Sequence, residues 1–338
     1  MAQTQRQIVV IGGGVAGMQA ALTTAAAGVH TIIVEKAERL GGKLCGWHKL
    51  FPTFTPAHEV LDRLVDEVRT AGIEVVTGCE ACEVAPDHVR LSDGRDIRAQ
   101  AVIIASGFEL FDARIKEEYG YGIYDNVFTT VDIERMMNEG SVRCHDGRAP
   151  RRIALLHCVG SRDEKVGQRH CSRVCCVTGV KQAMELKEMF PEAEIFNFYM
   201  DIRMFGPGYE EMYRHAQQHY NINFIRGRIS EASPTFDGRI QIKAEDTLIG
   251  RPLKMSVDML ILIVGMRCGA SNPAFERMGL QRAQSGFMMP ADMFAGNVDS
   301  PVRGIFYAGT VTAPKNIGES LNEGVAAGMR AVEYVNRS

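Results

Sequence analysis

The sequence predicts an α/β fold of two doubly wound domains, the second inserted in the first. Three observations carry this. An apolar strand near the N-terminus runs into a glycine-rich turn, a helix and a second strand. A further short apolar strand lies near the C-terminus, in Gly304-Ile305-Phe306-Tyr307-Ala308-Gly309-Thr310. Between them lies a stretch with its own strand and helix alternation, including Arg152-Ile153-Ala154-Leu155-Leu156-His157 and Met259–Val264.

The first strand, Gln7–Ile11, reads QIVVI and is almost wholly apolar. It enters Gly12-Gly13-Gly14-Val15-Ala16-Gly17, then the helical AGMQAALTTAAAG, then the strand Thr31-Ile32-Ile33-Val34, which ends at Glu35. Gly12 permits the tight turn, Gly14 lets main-chain N–H groups approach a pyrophosphate, and Ala16 and Gly17 let helix and strand pack closely. The helix N-terminus offers partial positive charge to the phosphates. Glu35 accepts hydrogen bonds from ribose hydroxyls. A glycine turn alone is weak evidence; with strand, helix and acid in place it is the dinucleotide-binding fingerprint of a Rossmann-like domain.

The rest of the pattern is regular. His58–Thr70 carries Val60, Leu61, Leu64, Val65 and Val68 on one helical face. Val84 closes the strand-like TGCEACEV and is counted with the dinucleotide-binding residues. Val89–Ile97 reads as a hairpin with an Asp93-Gly94 turn. Ala101–Ala105 is a buried strand that exits through Ser106-Gly107. Chain order then gives a discontinuous first domain, residues 1–110 and 290–338, and an insert of residues 111–289 with a hairpin around Asp237-Gly238.

Composition bounds the function. The chain has 338 residues, 46% of them hydrophobic, and a net charge of −3. That supports a sizeable core and no electrostatic grip on nucleic acid or an anionic membrane. The longest apolar run, Met259–Val264, is far short of the ~20 residues that span a bilayer. The N-terminus lacks the charged-then-apolar layout of a leader. A cytoplasmic location follows as an expectation. There nine cysteines point to metal or redox chemistry rather than to structural disulfides.

Four of those cysteines are clustered. Cys158 lies in LLHCVGSRD, and Cys171, Cys175 and Cys176 lie in HCSRVCC. Four soft thiolates suit an iron–sulfur cluster or zinc. Zinc knuckles use C-x2–4-C pairs, whereas adjacent cysteines reach different irons of a larger cluster. Val177–Phe190 continues as a helix, so its dipole favours thiolates at Cys175 and Cys176. Four buried structural thiols are the competing reading. Cys79 and Cys82 form a C-x2-C pair in a strand context without a helix N-terminus, which suits structural thiols better than a redox pair.

Resemblance sharpens these expectations. Glu35-Lys36 followed by Gly41-Gly42-Lys43 resembles the extended FAD motif of flavoproteins with two dinucleotide-binding domains. Ala105-Ser106-Gly107 and Gly304–Thr310 resemble the exit and closing strands of the thioredoxin reductase family. Thr310 stands where that family has an aspartate on the flavin ribityl chain. The resemblance aims the last helix, about Ser320–Val335, at the flavin, and puts Lys315 near flavin or phosphate. It also implies a second glycine fingerprint for NAD(P)H. The insert instead has Cys158-Val159-Gly160-Ser161 after its strand, and no GxGxxG or GxGxxA.

CVGSRD, CSRVCC with a Lys181-Gln182-Ala183 helix, Gly41–Pro52 and Ala313–Ser320 resemble the A-subunit of heterodisulfide reductase, along essentially the whole chain. That family implies FAD, a [4Fe-4S] cluster on the four cysteines, and a homodimer with other subunits in an electron-transferring complex. By family position Lys181 approaches the flavin N5 as the candidate catalytic residue. A solvated helix lysine is the plain alternative. The chain lacks a C-x2-C-x2-C ferredoxin signature and a cysteine-rich insertion after Phe51-Pro52-Thr53, so it resembles the short form of sulfur oxidisers. Rival readings are a free-standing NAD(P)H-dependent flavin or disulfide reductase and a zinc-stabilised scaffold.

Overall fold

The computed structural model describes residues 6–85 and 87–337. Residues 1–5, on which the leader reading partly rests, lie outside the described residues. The chain divides into two compact units. One comprises Met1–Cys45, Ala57–Glu109 and Arg267–Ser338; the other comprises Gly46–Pro56 and Leu110–Met266. These bounds differ from the expected ones in two places. Gly46–Pro56 belongs to the second unit, where buried carboxylates hold His48. Residues 267–289 belong to the first, because Phe275, Leu280 and Met288 pack into its core.

The first unit is built on a five-stranded parallel sheet in the order Ile305–Tyr307, Ala101–Ile104, Gln7–Ile11, His30–Val34, Glu74–Val76. The expected closing strand therefore joins the N-terminal sheet. Side chains alternate across it. Ile8, Val10, Ile33 and Ile103 meet the helices Val15–Ala26, Ala57–Thr70 and Ile317–Arg337. Val9, Ile11, Ile32 and Ile104 meet the antiparallel sheet Ala81–Val84, His88–Leu91, Asp96–Arg98 and the helix Asn272–Arg277. The helices Val15–Ala26 and Ile317–Arg337 approach closely because Gly324 faces Ala16 O, where a Cβ would stand at 2.5 Å.

The second unit repeats the plan. Its parallel sheet runs Val127–Thr129, Met259–Val264, Arg152–Val159, Glu194–Tyr199, Asn223–Arg226. Ile153, Leu155, Ile195 and Ile261 pack against the helices Thr130–Asn138, Cys175–Met189 and Tyr209–Gln218. Ala154, Leu156, Leu260 and Leu262 pack against the antiparallel sheet Ile229–Pro234, Ile240–Asp246, Arg251–Val257. Thr129 and Asp132 close a reciprocal capping box on the first of these helices. Among the described residues no helix is long and apolar enough to cross a membrane.

Candidate functional site

In the first unit the expected dinucleotide residues converge at the C-terminal edge of the sheet. Only Gly12, Gly13 and Gly14 separate the strand ending at Ile11 from the helix starting at Val15. Gly12 has φ +105°, and a Cβ there would stand 2.4 Å from Ala105 O. A Cβ at Gly17 would stand 1.8 Å from Gly12 O. Gly14 faces open space, with nothing within 4 Å of its added Cβ. Its neighbour is the second glycine pair: Gly41 N–H donates to Gly13 O at 2.8 Å, and a Cβ on Gly42 would lie 3.2 Å from Gly14 Cα.

Glu35 is buried and anchors this turn. Its Oε2 accepts Gly13 N–H at 2.6 Å and its Oε1 accepts Ala37 N–H at 2.8 Å. A carboxylate has about four lone-pair sites, so acceptor capacity remains for ribose hydroxyls. Ser106 Oγ is buried without a partner at the neighbouring strand exit, and a Cβ on Gly107 would lie 3.9 Å from Thr310 Oγ1. Gly309 lies against Ala16 and Ser320. Lys315 Nζ donates to Gly309 O at 2.9 Å and to Thr312 Oγ1 at 2.6 Å, with Glu323 Oε2 at 3.2 Å. An open phosphate cradle, a free buried hydroxyl and a buried acid fit a dinucleotide. Lys36 and Lys43 are exposed.

Val84 is placed differently from the expectation. Its N–H donates to Met278 Sδ at 3.1 Å. It lines a separate cavity of about 390 Å³ with Cys82, Glu83, Arg277, Met278 and Ile305. The residues bonded to the Glu35 main chain are Val76 and Cys79. Sequence reading missed them because the strand Glu74–Val76 is short and carries two exposed residues. Cys79 packs in the core with its thiol on Asp93 at 3.2 Å, and Cys82 is exposed.

In the second unit the place of a phosphate loop is filled. The strand Arg152–Val159 does not turn straight into a helix; residues 160–174 intervene before Cys175. A Cβ on Gly160 would stand 1.9 Å from the Phe111 ring, so that flank of the loop is packed by an aromatic side chain. The loop is tied down by Asp163, which bonds Lys116 at 2.9 Å and Arg228 at 2.7 Å, and by His170 Nε2 on Met266 O at 2.8 Å. Cys158, Arg162 and Arg173 all have positive φ, at 62°, 53° and 61°. Non-glycine residues hold that conformation only when their surroundings impose it, commonly at functional sites.

The loop gathers three of the four expected ligands. Cys158, Cys175 and Cys176 are buried, and Cys175 hydrogen-bonds both of the others. Contact with Cys175 lowers the Cys158 thiol to about 7 and the Cys176 thiol to about 4, while Cys175 itself is raised well above the usual range. Cys176 also sits near His157 and the Arg203 main-chain N–H. Cys171 is half-buried, and its sulfur accepts Arg173 N–H at 3.3 Å. Among the described residues no three His, Cys, Asp or Glu side chains are spaced to hold a metal ion. The loop's donors, Cys158 and Cys176 held toward thiolate by their contact with Cys175, are of the soft type that ligates iron or zinc.

Lys181 is neither solvated nor free. It is 2% exposed; Nζ donates to Glu134 Oε1 at 2.6 Å and to Lys49 O at 3.1 Å, with Glu185 Oε2 at 2.8 Å. His48 completes the group: its N–H donates to Glu134 Oε2 at 2.8 Å, and its Nδ1 lies 2.8 Å from Glu185 Oε1. Lys181 thus clasps Gly46–Pro56 within the second unit. The expected catalytic role at a flavin meets an ammonium already committed to these partners. The Lys181–Glu185 spacing of i, i+4 was the one sequence signal for this pairing.

The pyridine nucleotide-disulphide oxidoreductase family model matches residues 6–328. The chain is 33% identical, over 95% of its length, to the iron–sulfur A-subunit 2 of the CoB–CoM heterodisulfide reductase of Methanopyrus kandleri. It is 31% identical, over 95% of its length, to the A-subunit of the H2:CoB–CoM heterodisulfide, ferredoxin reductase of Methanothermobacter marburgensis. It spans 63% of the length of each of these relatives. Lactococcus lactis thioredoxin reductase superposes with a TM-score of 0.71 at 19% identity, covering 98% of this chain and all of that one. The thioredoxin reductase of T. acidophilum follows with a TM-score of 0.69 at 18% identity, covering 97% and 98%. These structures share the fold.

Proposed function

The chain belongs to the pyridine nucleotide-disulphide oxidoreductase family, and from that premise we propose that it is an FAD- and [4Fe-4S]-containing electron-transfer subunit of a heterodisulfide reductase-like complex. Its similarity to the A-subunits of heterodisulfide reductases supports the reading. The observation that carries it is the exchange of a phosphate loop for a thiol-bearing loop between Val159 and Cys175.

FAD would be held by Gly12, Gly14, Ala16, Gly17, Glu35, Gly41, Gly42, Ser106, Gly107, Gly309, Thr310 and Ser320. Cys158, Cys171, Cys175 and Cys176 would hold the cluster. When bound, FAD exchanges electrons in pairs and the cluster exchanges them singly. The complex would thus join two-electron sulfur or disulfide chemistry to one-electron carriers. A reducing cytoplasm, which keeps such thiols available for metal ligation, is the proposed location. The chain's own groups do three things. Main-chain amides at the Gly12–Gly17 turn bind phosphate. Glu35 orients the ribose. Contact with Cys175 holds Cys158 and Cys176 toward thiolate for metal ligation. A two-fold dimer and further subunits complete the proposed assembly; a monomer by light scattering at micromolar concentration contradicts the dimer.

Phe111 packs where a side chain on Gly160 would stand, and no glycine fingerprint follows that strand, which supports a second unit without a nicotinamide site. The protein should therefore release FAD on denaturation, and neither NADH nor NADPH should bleach its flavin within seconds under anaerobic mixing. Release of NAD or FMN alone, or stoichiometric bleaching by either nucleotide, contradicts the proposal and supports a free-standing NAD(P)H-dependent reductase.

A further inference from the structure

In the second unit, the loop of residues 160–174 and the turn of residues 200–208 follow the neighbouring strands Arg152–Val159 and Glu194–Tyr199 and meet at the carboxyl edge of the sheet. Arg162 donates to Asp201 Oδ2 at 2.7 Å. Arg226, at the end of the next strand, lies 3.9 Å from Asp201 Oδ1 and donates to Met200 O at 3.3 Å. The Arg173 guanidinium lies over the Phe205 ring, 5.6 Å from its centroid. The two arginines that join loop to turn, Arg162 and Arg173, are both held at positive φ. Backbone strain kept at two arginines of one loop points to a use for the place their guanidinium groups occupy.

Charge on this face departs from that of the chain. Asp163 is buried and matched by Lys116 and Arg228. What remains is Arg162, Lys165, Arg169, Arg173, Arg203 and Arg226 against two carboxylates, Glu164 and Asp201. The chain as a whole carries −3. A cationic patch on an anionic protein steers a compact acidic partner, and it gives no long-range grip on a polyanion. Phe205 is 57% exposed within the patch. An exposed aromatic ring backed by arginine is the composition of a protein-binding hot spot, not of a site for a small anion. Cys171, half-buried between Arg169 and Arg173 in sequence, keeps the thiol loop at this face.

We propose that this arginine face, with Phe205 exposed on it, is the docking surface for a small acidic protein that carries single electrons. The inference rests on the electron-transfer reading above for the kind of partner, and on the charge and exposure of these residues for its place.

The test is titration calorimetry of the purified holoprotein with oxidised flavodoxin, a small acidic one-electron carrier, at low and at physiological ionic strength, with iron, sulfide and FAD assayed on each sample. Binding should appear at low ionic strength and weaken as salt is raised. Arg169→Glu, Arg203→Glu and Phe205→Ala should each weaken it about tenfold. All three side chains are exposed, so the fold does not depend on them. Arg69→Glu, a reversal on a 78% exposed arginine of the first unit, should leave binding unchanged. Absent binding, wild-type affinity in the three variants, or equal weakening by Arg69→Glu overturns the inference. Tighter binding of a DNA oligonucleotide than of flavodoxin overturns it as well. Docking needs no electron transfer, so its failure in protein that holds iron, sulfide and FAD leaves the electron-transfer reading standing. Binding by protein without iron and sulfide keeps the docking surface and removes the cluster reading alone.

Discussion

A lysine ammonium taken out of water needs anionic partners, and Lys181 has two, Glu134 and Glu185. Both are 1–2% exposed, so removing the lysine charge leaves carboxylates buried without compensation. Breaking a buried pair from one side costs about 3–5 kcal/mol. Lys181→Met should therefore lower the chemical-denaturation midpoint strongly; an unchanged midpoint would contradict the clasp. The residue scale also shows what local patterns hide. Lys181 stands in a KQA stretch that reads as a helix. Its partners come from Glu134 and from the Lys49 carbonyl, distant in sequence and joined only by folding. His157 interrupts the apolar run of its strand, a faint signal that gains meaning once Asn197 is beside it.

At the scale of elements, two strand-to-helix connections carry the chemistry. The first was legible because its geometry is local: turn, close approach and open cradle fall within Gly12–Gly17. Gly12→Ala places a Cβ 2.4 Å from Ala105 O at φ +105°. Main chain cannot yield cheaply there, so the variant should purify with little or no FAD; full flavin content would contradict the assignment of this turn. The second connection was legible in its thiols and in its missing phosphate loop, but not in its packing. Gly179 sits within the helix that follows, where alanine would gain about 0.8–1.0 kcal/mol in helix propensity. Its Cβ would meet the His157 ring at 2.5 Å, and overpacking typically costs about 1–3 kcal/mol. The ring is held by Asn197, so the steric cost wins. Gly179→Ala should be net destabilising in denaturant titrations, and a stabilised variant would contradict the packing of His157 on this helix.

At the scale of the whole molecule, two parallel sheets of like plan serve different ends. The architecture was legible because buried parallel strands read as apolar runs, such as QIVVI and MLILIV. The division of the chain was less so. Gly46–Pro56 looks like a continuation of the glycine-pair motif, yet His48 and Lys49 tie it into the second unit. Val84, counted with the dinucleotide residues, has its N–H on Met278 Sδ, a partner distant in sequence. The central claim is that the Cys158 and Cys171–Cys176 loop holds an iron–sulfur cluster in a flavoprotein. Iron, acid-labile sulfide, zinc and FAD measured together on anaerobically purified wild type and on Cys176→Ala and Cys268→Ala test it most directly. The account predicts FAD with about four irons and four sulfides per chain in the wild type and in Cys268→Ala. In Cys176→Ala it predicts lost or altered iron with FAD retained. Zinc without sulfide in the wild type, or full iron with an unchanged paramagnetic signal in Cys176→Ala, would contradict it.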